Sequence, residues 1–150
     1  MKIGVISDTH GLLRDEVIEN LQGCDYIIHA GDIGSEEILD KLQGIAKTFA
    51  VRGNNDKEGY ALKLPDFKEI KMDEVLIYVT HNKADIPKEL REIDLIIYGH
   101  SHKYSEDNID GIIYLNPGSC GRKRFSLPLS MAIVEVNLDN IEVKKIDIKA

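Results

Sequence analysis

Up to Val51 the chain alternates short β-branched runs with amphipathic stretches, and this alternation restricts it to an α/β topology. Residues 2–7, 25–30 and 45–51 have the length and apolar continuity of buried strands. Between the first two, Val17, Ile18 and Leu21 fall at helical spacing within 14–21. Between the next two, Ser35 stands as an N-cap before Glu36-Glu37 and the stripe Ile38, Leu39, Leu42, with Gly44 expected to end the helix. Strand–helix–strand repeated twice means parallel pairing through right-handed crossovers. From Phe67 the texture becomes antiparallel. Hairpins are predicted at 67–72/75–80 across Asp73-Glu74 and at 129–137/141–148 across Asp139-Asn140, with a tight turn at 108–111 before Ile112–Leu115. A short helix at 87–92 and a strand at 95–98 lie between them.

Composition narrows what such a chain can do. Its 150 residues suit one domain, 1–150, with no disulfide framework, since Cys24 and Cys120 lie far apart and outside any Cys-x-x-Cys pattern. No apolar stretch approaches the roughly 20 residues of a membrane span, and the N-terminus lacks the pattern of a signal peptide, so no membrane contact and a cytoplasmic location are expected. With 26 acidic against 19 basic residues, a net charge of −7 argues against extended nucleic-acid binding.

The informative residues stand where the apolar runs end. The first leads to Asp8 and His10, the second to Gly31-Asp32, and the third to Gly53-Asn54-Asn55-Asp56; 76–79 leads to His81, and 95–98 to Gly99-His100-Ser101-His102. In open α/β sheets, residues beyond the carboxyl ends of strands converge on one crevice. Carboxylate, amide and imidazole donors suit manganese, iron, cobalt, nickel or zinc, and the lack of thiolates argues against structural zinc. Two ions about 3.5–4 Å apart need a bridging carboxylate. With Asp8 and His10 on one side and Asn54 and His81 on the other, Asp32 is the natural bridge. In an extended segment His100 and His102 share a face and could each serve a different ion. Gly31, Gly53 and Gly99 let the backbone turn sharply before the ligands.

Taken in order, Asp8-Thr9-His10, Gly31-Asp32, Gly53-Asn54-Asn55-Asp56, Thr80-His81 and Gly99-His100-Ser101-His102 resemble the motifs of the calcineurin-like metallophosphoesterases. Asn116-Pro117-Gly118-Ser119 and the small size point to the compact archaeal and bacterial phosphodiesterases. The resemblance implies a four-layer α-β-β-α sandwich of two mixed sheets flanked by helices. It implies two divalent ions, manganese first, one held by Asp8, His10, Asp32 and His102 and the other by Asp32, Asn54, His81 and His100. The activity implied is hydrolysis of a small phosphodiester by a hydroxide bridging the ions, with Asn55, Asp32 and His100 as catalytic residues. Relatives of this kind form dimers or tetramers, so a homo-oligomer stays open, although no interface stripe is legible.

Two departures stand out. Many members carry histidine where this chain has Asn55, which donates a hydrogen bond but cannot transfer a proton at neutral pH. His81 is followed by Asn82 where glycine is usual, and the stretch from 81 to 100 is short. Arg122 and Arg124, flanking Lys123, are either a solvated loop or, with Asn55, a rim that binds the substrate phosphate. Arg14 and Arg52 are weaker candidates of that kind. Asp8 and Asp32 could instead be helix caps, His100 and His102 surface residues, and Asn54, Asn55 and Asp56 turn formers. Asp56 could also orient a ligand, and His29 reads as a core histidine. Two other functions remain open. One is a protein-binding scaffold, because the retromer complex contains a subunit of similar fold with degraded ligands; the other is a nuclease, which would want a longer basic track.

Overall fold

The computed structural model describes residues 1–57, 59–90, 92–124 and 126–149. In chain order it runs β1 (Lys2–Ile6), α1 (Asp15–Leu21), β2 (Tyr26–His29), α2 (Glu36–Ile45), β3 (Lys47–Ala50), β4 (Phe67–Met72), β5 (Val75–Thr80), β6 (Leu95–Ile97), β7 (Ser105–Ile109), β8 (Ile112–Asn116), β9 (Leu129–Asn137) and β10 (Asn140–Ile148). Short 3-10 turns cover Gly59–Lys63 and Lys83–Asp85.

Two five-stranded mixed sheets result, ordered β10-β9-β1-β2-β3 and β4-β5-β6-β8-β7. Period-2 alternation decides what each strand buries. Ile3 and Val5 of β1 join Ile28, Ile77, Val79, Leu95, Ile97 and Leu115 in the core between the sheets. Ile6 packs on the other face against Val17 and Leu21 of α1 and Ile38 and Leu42 of α2, each pair one helical turn apart. Full burial of each such side chain contributes roughly 1.5–3 kcal/mol. Both helices carry acidic residues in their first turns, where the backbone N–H groups lack partners. No helix among the described residues is long and apolar enough to cross a membrane.

The structure corrects four local expectations. No helix forms over the described part of 87–92: Pro87–Leu90 is irregular and Glu92 has φ 60°, because six residues opened by proline cannot offset helix nucleation. Ile86, Leu90 and Ile93 still cover Tyr78, Ile96 and Tyr98, so this segment forms the outer layer on the second sheet. Gly44 lies inside α2, which continues to Ile45, a side chain packed on the helix-side core. The last hairpin turns at Leu138-Asp139, pairing Asn137 with Asn140. That register sets Ile141 and Val143 opposite Val136 and Val134, whereas a slip by one residue would point them the wrong way. The second sheet is also less antiparallel than expected, since β5, β6 and β8 run parallel. This parallel trio brings its carboxyl ends to the same edge as β1, β2 and β3, and the polar loops meet there.

Candidate metal centre

The loop after β1 carries Asp8 and His10, that after β2 Asp32, that after β5 His81 and that after β6 His100 and His102. Asp8, Asp32, His81 and His102 are buried, His10 is half-buried and His100 is exposed. Five of these adopt left-handed backbone: Asp8 (φ 56°), His10 (47°), Asp32 (59°), His100 (74°) and His102 (64°). Such geometry is uncommon outside glycine and persists only where the surroundings impose it. It also corrects the picture of an extended 100–102 segment. The chain bends there, sending His102 toward His10 and His100 toward His81 and Asn54.

Two groups of ligand atoms form, each within 4.8 Å: Asp8, His10 and His102, and Asp8, Asp32 and His81. Asp8 Oδ1 stands 3.6 Å from His10 Nε2, 3.5 Å from His102 Nε2 and 3.8 Å from His81 Nε2. Asp32 Oδ2 stands 3.6 Å from His10 Nε2 and 3.3 Å from His81 Nε2, so both carboxylates lie between the two halves. His10 and His102 face each other through Nε2 at 3.2 Å. His100 lies outside both groups, its Nδ1–H donating to Asn54 Oδ1 at 3.1 Å.

These residues fit a cation. Asp8 Oδ1 and His81 Nε2 are buried with no hydrogen-bond partner, a costly state for polar atoms unless something charged lies between them. His81 Nδ1–H donates to Ala30 O at 2.7 Å, which leaves Nε2 as the lone-pair nitrogen aimed inward. The other oxygens are already held: Asp8 Oδ2 accepts from Ser7 Oγ–H at 2.7 Å and His100 N–H at 3.1 Å, and Asp32 Oδ1 accepts from Asn55 N–H at 2.9 Å. Each carboxylate thus presents one oxygen to the histidines.

The charges follow this geometry. Burial alone would raise Asp32, but the His81 imidazole, the Asn55 N–H and His10 outweigh it and hold it at about 2. Asp8 is likewise lowered, with burial opposed by His10, His81 and Ser7. The Asp8 carboxylate raises His10; burial opposes the rise of His81, which Asp32 and Asp8 nevertheless produce. Burial lowers His102. Protons and a divalent ion compete for these nitrogens, so metal affinity falls as pH falls.

Residues behind the candidate ligands hold them, among them Asp56 and the 116–119 segment that the sequence also singles out. Asp56 accepts four backbone N–H groups, from Asp32 at 2.8 Å, Ile33 at 3.1 Å, Gly34 at 3.3 Å and Gly53 at 2.9 Å, pinning the two loops together. Ser119 Oγ–H donates to Asp8 O at 3.0 Å, and Asn116 Nδ2–H to Gly99 O at 3.1 Å, so 116–119 braces ligand loops from behind. Gly31 has φ 105° as a sharp turn requires. Gly53 and Gly99 serve differently: a side chain there would strike Asp32 or Ser7 and Asp8, so their role is close approach.

His29 is a core histidine that ties the first two ligand loops. Gly31 N–H donates to its Nδ1 at 3.0 Å, so its Nε2–H faces Thr9 Oγ1 at 2.9 Å, and the Thr9 hydroxyl donates to Ile33 O at 2.7 Å. Burial pushes the His29 imidazole down to about 4 from 6.5. The unfolded chain therefore takes up this proton first, and the stability it contributes, complete above about pH 6.5, drains away as pH falls toward 4. The loss amounts to about 3 kcal/mol. Urea unfolding across that range is expected to show it, with a flatter profile for His29→Gln; parallel profiles for the two proteins would exclude the effect.

Among the described residues, two cavities are lined by His10 and His102 and by Asn54 and His81, respectively. One, of about 310 Å³, is lined by His10, Asn55, His102, Arg122, Lys123 and Arg124. Arg122 Nε–H donates to His10 O at 3.1 Å, and Asn55 Nδ2–H donates to Asp32 Oδ2 at 3.2 Å. The other, of about 660 Å³, begins at Asn54 and His81 and contains Arg52, whose guanidinium donates twice to Asp66 Oδ1, at 3.0 and 2.7 Å. Arg14 lies apart from both cavity linings and instead donates through Nε–H to Gly121 O at 2.9 Å. Cys24 and Cys120 are buried free thiols, and burial pushes Cys120 up to about 12.

The chain is similar to known proteins along nearly its whole length. It is 36% identical, over 99% of its residues and 82% of the relative's, to a probable metallophosphoesterase of Methanocaldococcus jannaschii. The structure of an archaeal phosphodiesterase superposes with a TM-score of 0.78 at 26% identity, covering 99% of this chain and 100% of the other. A zinc complex of Vps29 from Entamoeba histolytica shares the fold, with a TM-score of 0.75 at 22% identity over 98% and 99% of the two chains. The family model of the calcineurin-like phosphoesterase superfamily domain matches residues 1–139. A match of that extent makes this chain a member of the calcineurin-like phosphoesterase superfamily.

Proposed function

We propose that the protein is a phosphodiesterase that hydrolyses small phosphodiesters at a pair of divalent ions, manganese before nickel, zinc, iron or cobalt. Asp8, His10, Asp32 and His102 would hold one ion and Asp32, Asn54, His81 and His100 the other. Such a pair supplies a nucleophile from water at neutral pH and offsets charge on the phosphoryl oxygens. The observation that carries this reading is the pair of buried, unpartnered atoms, Asp8 Oδ1 and His81 Nε2, facing one another across 3.8 Å. A protein-binding scaffold has no use for such atoms, which cost stability unless a ligand engages them.

The chain's own groups then divide the remaining work. Arg122 and Arg124 line the smaller cavity, where a guanidinium fits two phosphate oxygens at once. Asn55 holds Asp32 through both its backbone and its side-chain N–H, and stands where it can donate to a phosphate oxygen. Being an amide, it gives no proton to a departing alkoxide, so aryl diesters should be cleaved well and alkyl monoesters poorly.

The test strips the protein with a chelator, resupplies manganese, nickel or zinc, and compares an aryl phosphodiester with its monoester. Turnover of the diester restored by metal is expected. No turnover with any ion would favour the scaffold. Asn55→His is expected to raise the monoester-to-diester rate ratio by about tenfold or more, since a placed general acid contributes about 10²–10⁴. An unchanged ratio would remove that role from position 55.

A further inference from the structure

The larger cavity has an aromatic wall that metal chemistry leaves unused. Phe67, at the start of edge strand β4, is 55% exposed although it is a large apolar ring. It lies nearly parallel to Tyr78, with centroids 5.6 Å apart and planes 16° apart, while Tyr78 is only 4% exposed. Tyr78 thus backs the Phe67 ring, and both line the cavity. The register ties this platform to the centre: Phe67 pairs with Thr80, the residue before His81. Asn82, Asp85 and Lys57 line the same cavity and add hydrogen-bond donors and acceptors to it.

The two cavities therefore differ in kind. The smaller is lined by Arg122, Lys123 and Arg124 and suits an anion. The larger, at about 660 Å³, is within the range that holds a molecule of nucleoside size. An exposed ring on a rigid strand, in a cavity that polar groups also line, matches a flat group with hydrogen-bonding edges. We infer that the cavity between His81 and Phe67 binds the nucleoside of a nucleotide diester, its base stacked on Phe67. This rests on the phosphodiesterase reading and names its substrate class.

Two esters separate the possibilities: thymidine 5′-(p-nitrophenyl) phosphate and methyl p-nitrophenyl phosphate. In both, a water oxygen bonds to phosphorus, the bond from phosphorus to the nitrophenyl oxygen breaks, and nitrophenolate leaves with its electron pair. A proton from the water is released, and the thymidine or methyl group stays on the phosphate. Phe67→Ala is expected to lower the ratio of kcat/KM for the thymidine ester to that for the methyl ester by about tenfold, as loss of one base stack would. Phe67→Tyr should restore the ratio, which a merely structural role for the ring would not explain. A Phe67→Ala ratio within about twofold of the parent overturns the inference and leaves the hydrolase reading standing. Thymidine 5′-monophosphate gives a readout independent of turnover. Saturation transfer from the protein should reach its base protons in the parent and not in Phe67→Ala; absence of transfer in the parent also overturns the inference. Failure to cleave either ester, with base contact intact, would count against the hydrolase reading alone.

Discussion

Asp32→Asn is expected to lower kcat on an aryl phosphodiester by at least about 10³-fold, equivalent to about 4 kcal/mol of transition-state stabilisation. On the proposed two-ion reading, the parent should bind two manganese ions per chain and the variant fewer than one. The substitution preserves shape, and the main-chain N–H of residue 32 still meets Asp56, so circular dichroism should be unchanged. What it removes is the charge on an oxygen facing His10 at 3.6 Å and His81 at 3.3 Å. Metal content and rate are measured on the same preparation. Two retained ions with a rate within tenfold of the parent would exclude Asp32 as the shared ligand, leaving Asp8, whose Oδ1 approaches three imidazoles, for that position.

Gly121→Ala should produce a large loss of stability for a single methyl group. A Cβ at 121 would land on the main chain of Thr9, the residue between Asp8 and His10. Backbone cannot swing aside as a flexible side chain can, and overpacking of this kind costs about 3 kcal/mol. The melting temperature should fall by roughly 6–12 °C, and manganese binding should weaken with it. Gly44→Ala supplies the opposite sign. It lies within α2 with nothing inside 4 Å of the added carbon, so the methyl group should stabilise by about 0.5–1 kcal/mol. Equal effects from the two substitutions would show that crowding against Thr9 is not what matters.

The convergence of these polar residues was legible because β-strands advertise themselves. An apolar run of four to six residues has few other fates, and the polar residue after it must sit at the sheet's edge. His29 could be told from the other histidines for the same reason, since it lies within a run. Asp56 was ambiguous: in Gly53-Asn54-Asn55-Asp56 it has the composition of a turn, and its four N–H partners become visible only once β2 and β3 lie side by side. Gly53 and Gly99 were singled out correctly for the wrong cause, because proximity to another loop leaves no mark on local sequence. The helix expected at 87–92 shows the limit of sequence pattern: in the described residues, Leu90 and Ile93 pack on Tyr78, Ile96 and Tyr98 from irregular backbone.

The left-handed backbone of these five candidate ligands has an evolutionary corollary. Each of Asp8, His10, Asp32, His100 and His102 occupies a conformation that glycine would adopt more cheaply, at a cost on the order of 1–3 kcal/mol per residue. Erosion of the chemistry through glycine would therefore relax the architecture instead of breaking it, and selection for activity alone keeps these positions tense. A lineage that stopped needing catalysis could discard the ligands one by one and inherit a sturdier body.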